Sequence, residues 1–393
     1  MTSALTIKGK TSQTWSRASL GEHVDILSGF AFDSKLFSGS GGMPLIRIRD
    51  VVRGRTETRY TGKYDSRFVV YPGDLLVGMD GDFNRALWSS EPALLNQRVC
   101  KVISNPETLD PRYLYHFLPG ALLEIWHQTP FATVKHLSAK GIRAISIPLP
   151  RVEEQRRIAA ILDKADEMRA KRRQAIAHLD TLTQSIFYSM FGDPVQNPYG
   201  LDRVSLTEVG RLYSGGTPSK EVTDNWIGST PWFSPKDLKK ARLFDSIDHI
   251  SPQVPANTSL RLLPIGTVVF VVRGMILAHS FPVALLECEA TINQDLKAIL
   301  PTKEVVPEFL LACLQAQQEY VVGLVETAAH GTKKVTTETL NKAWVFDVKL
   351  DVQQTFASRV AAVERLKETH RKHLAELDAL FASLQSRAFK GEL

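Results

Sequence analysis

Apolar residues recur along this chain with two different periods, and the change of period marks out its parts. Ile158, Leu162, Ala165, Arg169, Arg172, Ile176, Leu179, Thr183, Ile186 and Met190 follow one another at alternating steps of four and three, with no proline between Pro150 and Pro194. This spacing is the seam of a long helix that pairs with another helix. It returns in Phe356, Val360, Val363, Lys367, His370, Leu374, Leu377, Phe381, Leu384 and Ala388. Gly192, ahead of Asp193-Pro194, and Gly391 stand where they would stop the two helices, and Asp351 with Gln354 forms a candidate capping box for the second. Both seams turn polar at the same depth, at Arg169 and Arg172 and at Lys367 and His370. There the helices either fix their register or leave an opening where another protein packs.

Ahead of each helix the pattern shortens to strand-like runs bounded by turn signals such as Tyr71-Pro72-Gly73-Asp74. Strands are predicted over 45–52, 74–79, 98–103 and 144–149, with a helix over 111–126. In the second half strands are predicted over 267–273, 296–300 and 343–348, with a helix over 307–322. Landmarks keep their order between the halves: Leu20, Glu22, Ile26 and Gly29 match Leu206, Glu208, Leu212 and Gly215, Asp50 matches Asp237, Gly73 matches Gly266, and Gln155 matches Gln353. The offset grows in small steps, as loop insertions in a duplicated unit would leave it. The predicted class is therefore α+β, with two mixed globular domains at 1–150 and 193–349, each followed by a long helix at 151–192 and 350–393. The helices are expected to pair antiparallel as a coiled coil, which would place the globular parts at the two ends of a rod.

A length of 393 residues, with 44% hydrophobic and 23% charged, agrees with more than one domain. No apolar run approaches the length of a membrane span, and residues 1–10 lack the apolar core of a secretory leader, so a cytoplasmic protein is expected. Cys100, Cys288 and Cys313 are isolated, which excludes a disulfide framework and zinc-ligand spacing. The net charge of +6 is modest, so any polyanion partner must meet local basic patches.

Several strings imitate catalytic motifs and fail on context. Phe37-Ser38-Gly39-Ser40-Gly41 has the spacing of a methyltransferase cofactor loop, yet a strand-like run follows where a helix is needed, and a surface loop is expected. Asn197-Pro198-Tyr199 reads as a turn. Asp237-Leu238-Lys239 and Asp295-Leu296-Lys297 each end like a nuclease site, but no Pro-Asp pair supplies the upstream carboxylate. No phosphate-binding glycine loop is present and the histidines are scattered, so no metal or catalytic set is assigned. A chain that does no chemistry itself is the expectation.

Recognition remains. Arg47, Arg49, Arg53, Arg55, Arg59 and Lys63 cluster with Tyr60 and Tyr64, and at the matching place of the second half stand Lys236, Lys239, Lys240 and Arg242 beside Trp232 and Phe233. Arginine forks read guanine edges, whereas lysine mostly meets phosphate. Residues 80–85 with 273–279, and 133–136 with 330–334, add further groups at equivalent places: Arg85, Lys135, Arg273, Lys333 and Lys334.

These residues resemble the specificity subunit of type I restriction-modification systems. The likeness is carried by Gly215-Gly216-Thr217-Pro218-Ser219-Lys220, Pro231-Trp232-Phe233-Ser234, Asp237-Leu238, Ile147-Pro148-Leu149-Pro150 with Glu153-Glu154-Gln155, and the closing stretch from Leu384. The first half lacks the Gly-Thr-Pro-Ser run and the second lacks the Pro-Leu-Pro run. The resemblance implies two target-recognition domains that read the halves of a split, asymmetric sequence in double-stranded DNA, with the paired helices as spacer. It also implies two modification subunits that carry S-adenosylmethionine and methylate adenine, and restriction subunits that join them. Under it Arg169, Arg172, Lys367 and His370 are candidate partner contacts, and this chain needs no cofactor. The alternatives are a DNA-binding regulator or scaffold with two modules, or a degenerate methyltransferase or nuclease.

Overall fold

The computed structural model describes residues 15–129, 135–327 and 331–393. Its chain divides into two units: Met1–Arg173 with Lys372–Leu393, and Gln174–Arg371.

In the first unit, Val24–Ser28, Val99–Ser104, Leu75–Gly78 and Arg85–Leu87 form a four-stranded antiparallel sheet in that order. A second sheet, of five short strands, contains Met43–Ile46 parallel to Ala93–Leu95, and Arg17–Ser19 pairs with Ser146–Pro148. The helix Pro111–Gln128 starts where the Asp110 side chain accepts from two backbone N–H groups and Pro111 supplies a pre-set φ. Its Tyr113, Leu114, Leu118 and Leu122 pack into one core with the sheet and with Ile158 and Leu162.

The second unit repeats this plan. Gly210–Ser214, Leu296–Pro301, Val268–Val271 and Val283–Leu286 form the corresponding sheet, with Arg242–Leu243 added as a parallel edge strand; Thr230–Phe233 lies parallel to Thr291–Ile292, and Arg203–Ser205 pairs with Trp344–Phe346. The duplication expected from the landmarks is thus a duplication of topology, and the mainly antiparallel pairing gives the α+β class. The recurring glycine has a steric cause: a Cβ on Gly29 would lie 2.1 Å from the Asn96 carbonyl oxygen, and one on Gly215 2.0 Å from that of Ile292.

Three local expectations are corrected. The strand predicted over 45–52 ends at Ile46, and Asp50–Arg53 is a short helix. The helix predicted over 307–322 breaks into Pro307–Gln315 and Gln318–Gly323. At the break the buried Gln317 amide accepts from Trp344 N (2.7 Å) and donates to Trp344 O (2.6 Å), acting as a piece of strand beside Trp344–Phe346. The capping box at Asp351 does not form, because the helix already begins at Leu350 and Asp351 lies inside it.

The buried glutamines take over the role of fixing both helix starts. Gln155 accepts from Asp110 N (2.8 Å) and donates to Pro150 O (2.8 Å); Gln353 accepts from Val306 N (2.9 Å) and donates to Val348 O (2.8 Å). Each amide ties the start of a long helix to the start of an earlier one, Pro111–Gln128 in the first unit and Pro307–Gln315 in the second. The long helices run over Val152–Phe191 and Leu350–Lys390, each followed by a glycine with φ near +80° that ends it. Every residue of both predicted seams is buried or half-buried.

Candidate nucleic-acid interface

The basic cluster of the first unit sits on a turn held by a carboxylate. Asp50, nearly buried, accepts from Arg47 N at 2.9 Å, which closes the turn leading into Asp50–Arg53. Arg49, Arg53 and Arg55 then surround one depression together with Asp50 and Glu57. Arg47 and Lys63 are exposed. Arg59 is drawn away: its guanidinium donates to Gly42 O at 3.1 Å and to Glu91 at 2.9 Å.

The second unit builds the same turn with Asp237, which accepts from Ser234 N at 2.8 Å and from Ile247 N at 2.9 Å. This carboxylate, the first of the D-x-K tripeptides, thus holds backbone. Lys239 and Lys240 project from the turn and are exposed, while Lys236 pairs with Asp248 at 2.6 Å. Arg242 is half-buried between Glu287 and Glu308.

The two further segment pairs come together within each unit. In the first, Asp80 bridges His136, and Gly81 N donates to Lys135 O at 3.0 Å. In the second, Arg273 bridges Lys334, and Gly274 N donates to Lys333 O at 3.0 Å. Thr133 and His330 of these segments lie outside the described residues. Asp80 also joins Arg98 and the His136 ring (2.6 Å to Nδ1). Burial works to raise the Asp80 carboxyl, but the hydrogen bonds from His136 and Arg98 prevail and hold it below its usual range.

Several of the predicted contacts have partners within the chain. Arg85 lies 3.6 Å over the Tyr115 ring with its Nε buried, and Lys135 lies 3.6 Å over Trp126 while bonding its carbonyl. Intramolecular partners thus engage the guanidinium groups of both Arg85 and Arg242. Lys333 donates to Thr327 at 2.8 Å and Lys334 lies 3.8 Å from Glu326, while Arg273 is exposed. Sequence reasoning passed over Gln97 and Gln294, exposed side chains that follow Asn96 and Asn293 at the strand ends where Gly29 and Gly215 approach. The repeated Asn-Gln dipeptide was the signal that could have found them.

The polar layers of the seams are ion pairs. In the first unit Arg169 bonds Asp378 (2.6 Å) and Asp166 (2.7 Å) and stacks 4.3 Å from the Phe381 centroid. In the second Lys367 bonds Asp180 (2.9 Å) and Glu364 (2.8 Å). Arg169 matches Lys367 in the duplication and Asp378 matches Asp180, so one bridge is made twice with the helices exchanged. Arg169 and Lys367, two of the candidate partner contacts, are thus both engaged in ion pairs across the helix pair. Arg172 and His370 are half-buried.

Little here is suited to covalent chemistry. Burial pushes the Cys100 and Cys313 thiols up to about 12, far from the range of a nucleophilic thiolate. Among the described residues no cluster of three or more His, Cys, Asp and Glu could hold a metal, and no helix is long and apolar enough to cross a membrane.

The duplicated scaffold has a known counterpart. The sequence profile of the Type I restriction modification DNA specificity domain matches residues 12–178 and again 198–379. The chain belongs to this specificity-domain family. Each match covers one globular part and the larger part of the seam region beside it, so the family's repeat is the one visible in the topology. The specificity subunit of the type I restriction enzyme EcoBI from Escherichia coli is 44% identical over 178 residues, 44% of this chain and 38% of that protein. A second Escherichia coli type I specificity subunit is 30% identical over 210 residues, 51% of this chain and 50% of its own. The chain thus spans half or less of the length of these specificity-family relatives. The crystal structure of a type I restriction-modification S subunit from M. genitalium superposes with a TM-score of 0.55 at 15% identity, over 98% of both chains, and shares the fold.

Proposed function

We propose that this chain is the DNA-reading subunit of a type I restriction-modification complex. Each unit recognises one half of a split, asymmetric target, and the chain directs partner adenine methyltransferase and restriction subunits to it without catalysing either reaction. The observation that carries this reading is a family match made twice, on two copies of one topology whose recognition turns differ. The first turn presents Arg47, Arg49, Arg53 and Arg55, the second Lys239 and Lys240. Conserved architecture with divergent loops is what two independent readings of DNA require. Arg273, Lys333 and Lys334 add to the second surface, while Arg59, Lys63, Lys135 and Lys236 stand at the margins.

Two modification subunits, holding S-adenosylmethionine, attach beside the long helices at the polar layer of Arg169, Arg172, Lys367 and His370; the complex acts in the cytoplasm. The test is to map methylated adenines in DNA treated with this chain and its cognate modification subunit. A bipartite target with a fixed unspecified gap is expected. A single contiguous site, or identical methylation by the modification subunit alone, would overturn the proposal. A regulator or scaffold without enzymatic partners would leave no methylation in any combination.

A further inference from the structure

The turn Met275–Ala278 of the second unit displays two apolar side chains to solvent, Met275 at 64% exposure and Ile276 at 45%. Nothing about the turn suggests slack. Leu277 beneath it is fully buried, Leu277 N bonds Gly274 O at 3.2 Å, and both His279 N and Ser280 N bond Ile276 O. The apolar tip is not demanded by the fold either. At the equivalent place the first unit exposes Asp82 and Asn84 and buries its aromatic Phe83 to 2%. The surroundings are cationic: Arg273 opens the turn, and the Lys333–Lys334 strand is bridged to it. Exposed apolar groups in a basic setting fit a surface that is polyanionic at its edge and apolar at one point. DNA has such a point in the major groove, the C5 methyl of thymine.

We infer that Met275 and Ile276 are specificity-determining residues that read thymine methyl groups in the half-site of the second unit. This rests on the DNA-reading function proposed above. Arg273 and the lysines hold the phosphate edge, and the apolar tip favours an A·T pair by burying the methyl that no other base carries there.

The probe is a set of duplexes carrying the target found by methylation mapping, with each thymine of that half-site replaced singly by uracil, which lacks only the methyl. Affinity is measured with the full chain assembled with its modification subunits. Wild type is expected to lose about fourfold at one or two positions, the contribution of one buried methyl group. Met275→Ala or Ile276→Ala should lose a similar factor on the thymine duplex and nothing further on the uracil duplex, and Met275→Leu should largely restore discrimination. Equal losses in wild type and variant, no uracil effect at any position, or a half-site without A·T pairs would each overturn the inference. So would variants that weaken attachment of the modification subunits while DNA affinity stays unchanged, which would mark the tip as a protein contact. Failure of wild type to bind any target duplex would instead strike at the DNA-reading function itself.

Discussion

Single side chains on equivalent turns do different work. Asp50 and Asp237 both hold backbone, and what projects beyond them is arginine in one unit and lysine in the other. Arg47→Ala or Arg49→Ala is expected to relax base preference in one half-site, at about 1–3 kcal/mol if a bidentate guanine contact is lost. Lys239→Ala or Lys240→Ala should weaken all sequences alike and flatten the salt dependence. Affinities across single-base variants of the target decide between the two behaviours, and a uniform loss for the arginine variants would refute direct reading there. A different residue ties the first unit to pH. His116 is fully buried, with Nε2 2.7 Å from Asp163 and Nδ1 without a partner. Burial is the larger influence and pushes its pKa below the ordinary 6.5, against the pull of Asp163. The unfolded chain therefore takes up this proton first, so stability is complete above about 6.5 and declines as pH falls toward the lower folded value. Urea midpoints at pH 7 and 5.5 should drop more for wild type than for His116→Gln, whose amide keeps a donor toward Asp163 but does not titrate. Equal drops would exclude His116 as the source.

Both long helices were visible as elements because a seam period of 3.5 is a local property of the chain, and their ends agree with Gly192 and Gly391. The seam rotates near Phe187, however. Phe187 and Phe191 are the buried pair, against Phe309, Phe346 and Phe356, while Ile186 and Met190 are half-buried. A helix meeting a globular core presents a wider face than one meeting a single helix, and each fully buried ring contributes roughly 1.5–3 kcal/mol relative to exposure. The ion pairs set the register elsewhere in the same helices. Lys367 is 6% exposed and faces Asp180 and Glu364. Lys367→Met should leave stability unchanged within about 1 kcal/mol or raise it, since the carboxylates left behind, Asp180 and Glu364, are 59% and 30% exposed and remain hydrated. Lys367→Glu sets a carboxylate against two others and should cost about 3–5 kcal/mol, as an uncompensated buried charge does. Denaturant unfolding of both variants is the measurement, and a methionine variant as unstable as the glutamate one would show that the charge itself is required.

For the whole molecule, the proposed spacer role makes a geometric demand that a docking role does not. Adding one heptad at matching depth in both helices, after Ala175 and after His373, lengthens each by roughly 10 Å at about 1.5 Å per residue and keeps the seam nearly in phase. At about 3.4 Å per base pair the unspecified gap of the target should grow by about three base pairs, with the same bases read on either side. The added base pairs also turn the second half-site by roughly a third of a turn, so some affinity should be lost. Methylation mapping of the altered complex reads the gap directly. An active variant that keeps its original gap would remove the helices from the spacing mechanism.

The duplication, the α+β class and the paired helices were legible in the chain because each rests on a short-range or strictly ordered signal: a heptad period, a glycine kept where backbones nearly touch, a glutamine kept where two helix starts meet. The fate of the basic residues was not legible. Arg242 and Lys240 stand two positions apart in one cluster, yet one is held between Glu287 and Glu308 and the other is exposed. Arg85 finds Tyr115 and Lys367 finds Asp180 only once distant segments have packed. Charge is a property of a residue, but whether that charge is available depends on carboxylates, rings and burial contributed from far along the chain. Folding supplies those, and so the scaffold could be read from order and period while the availability of its charged groups had to be read from contacts.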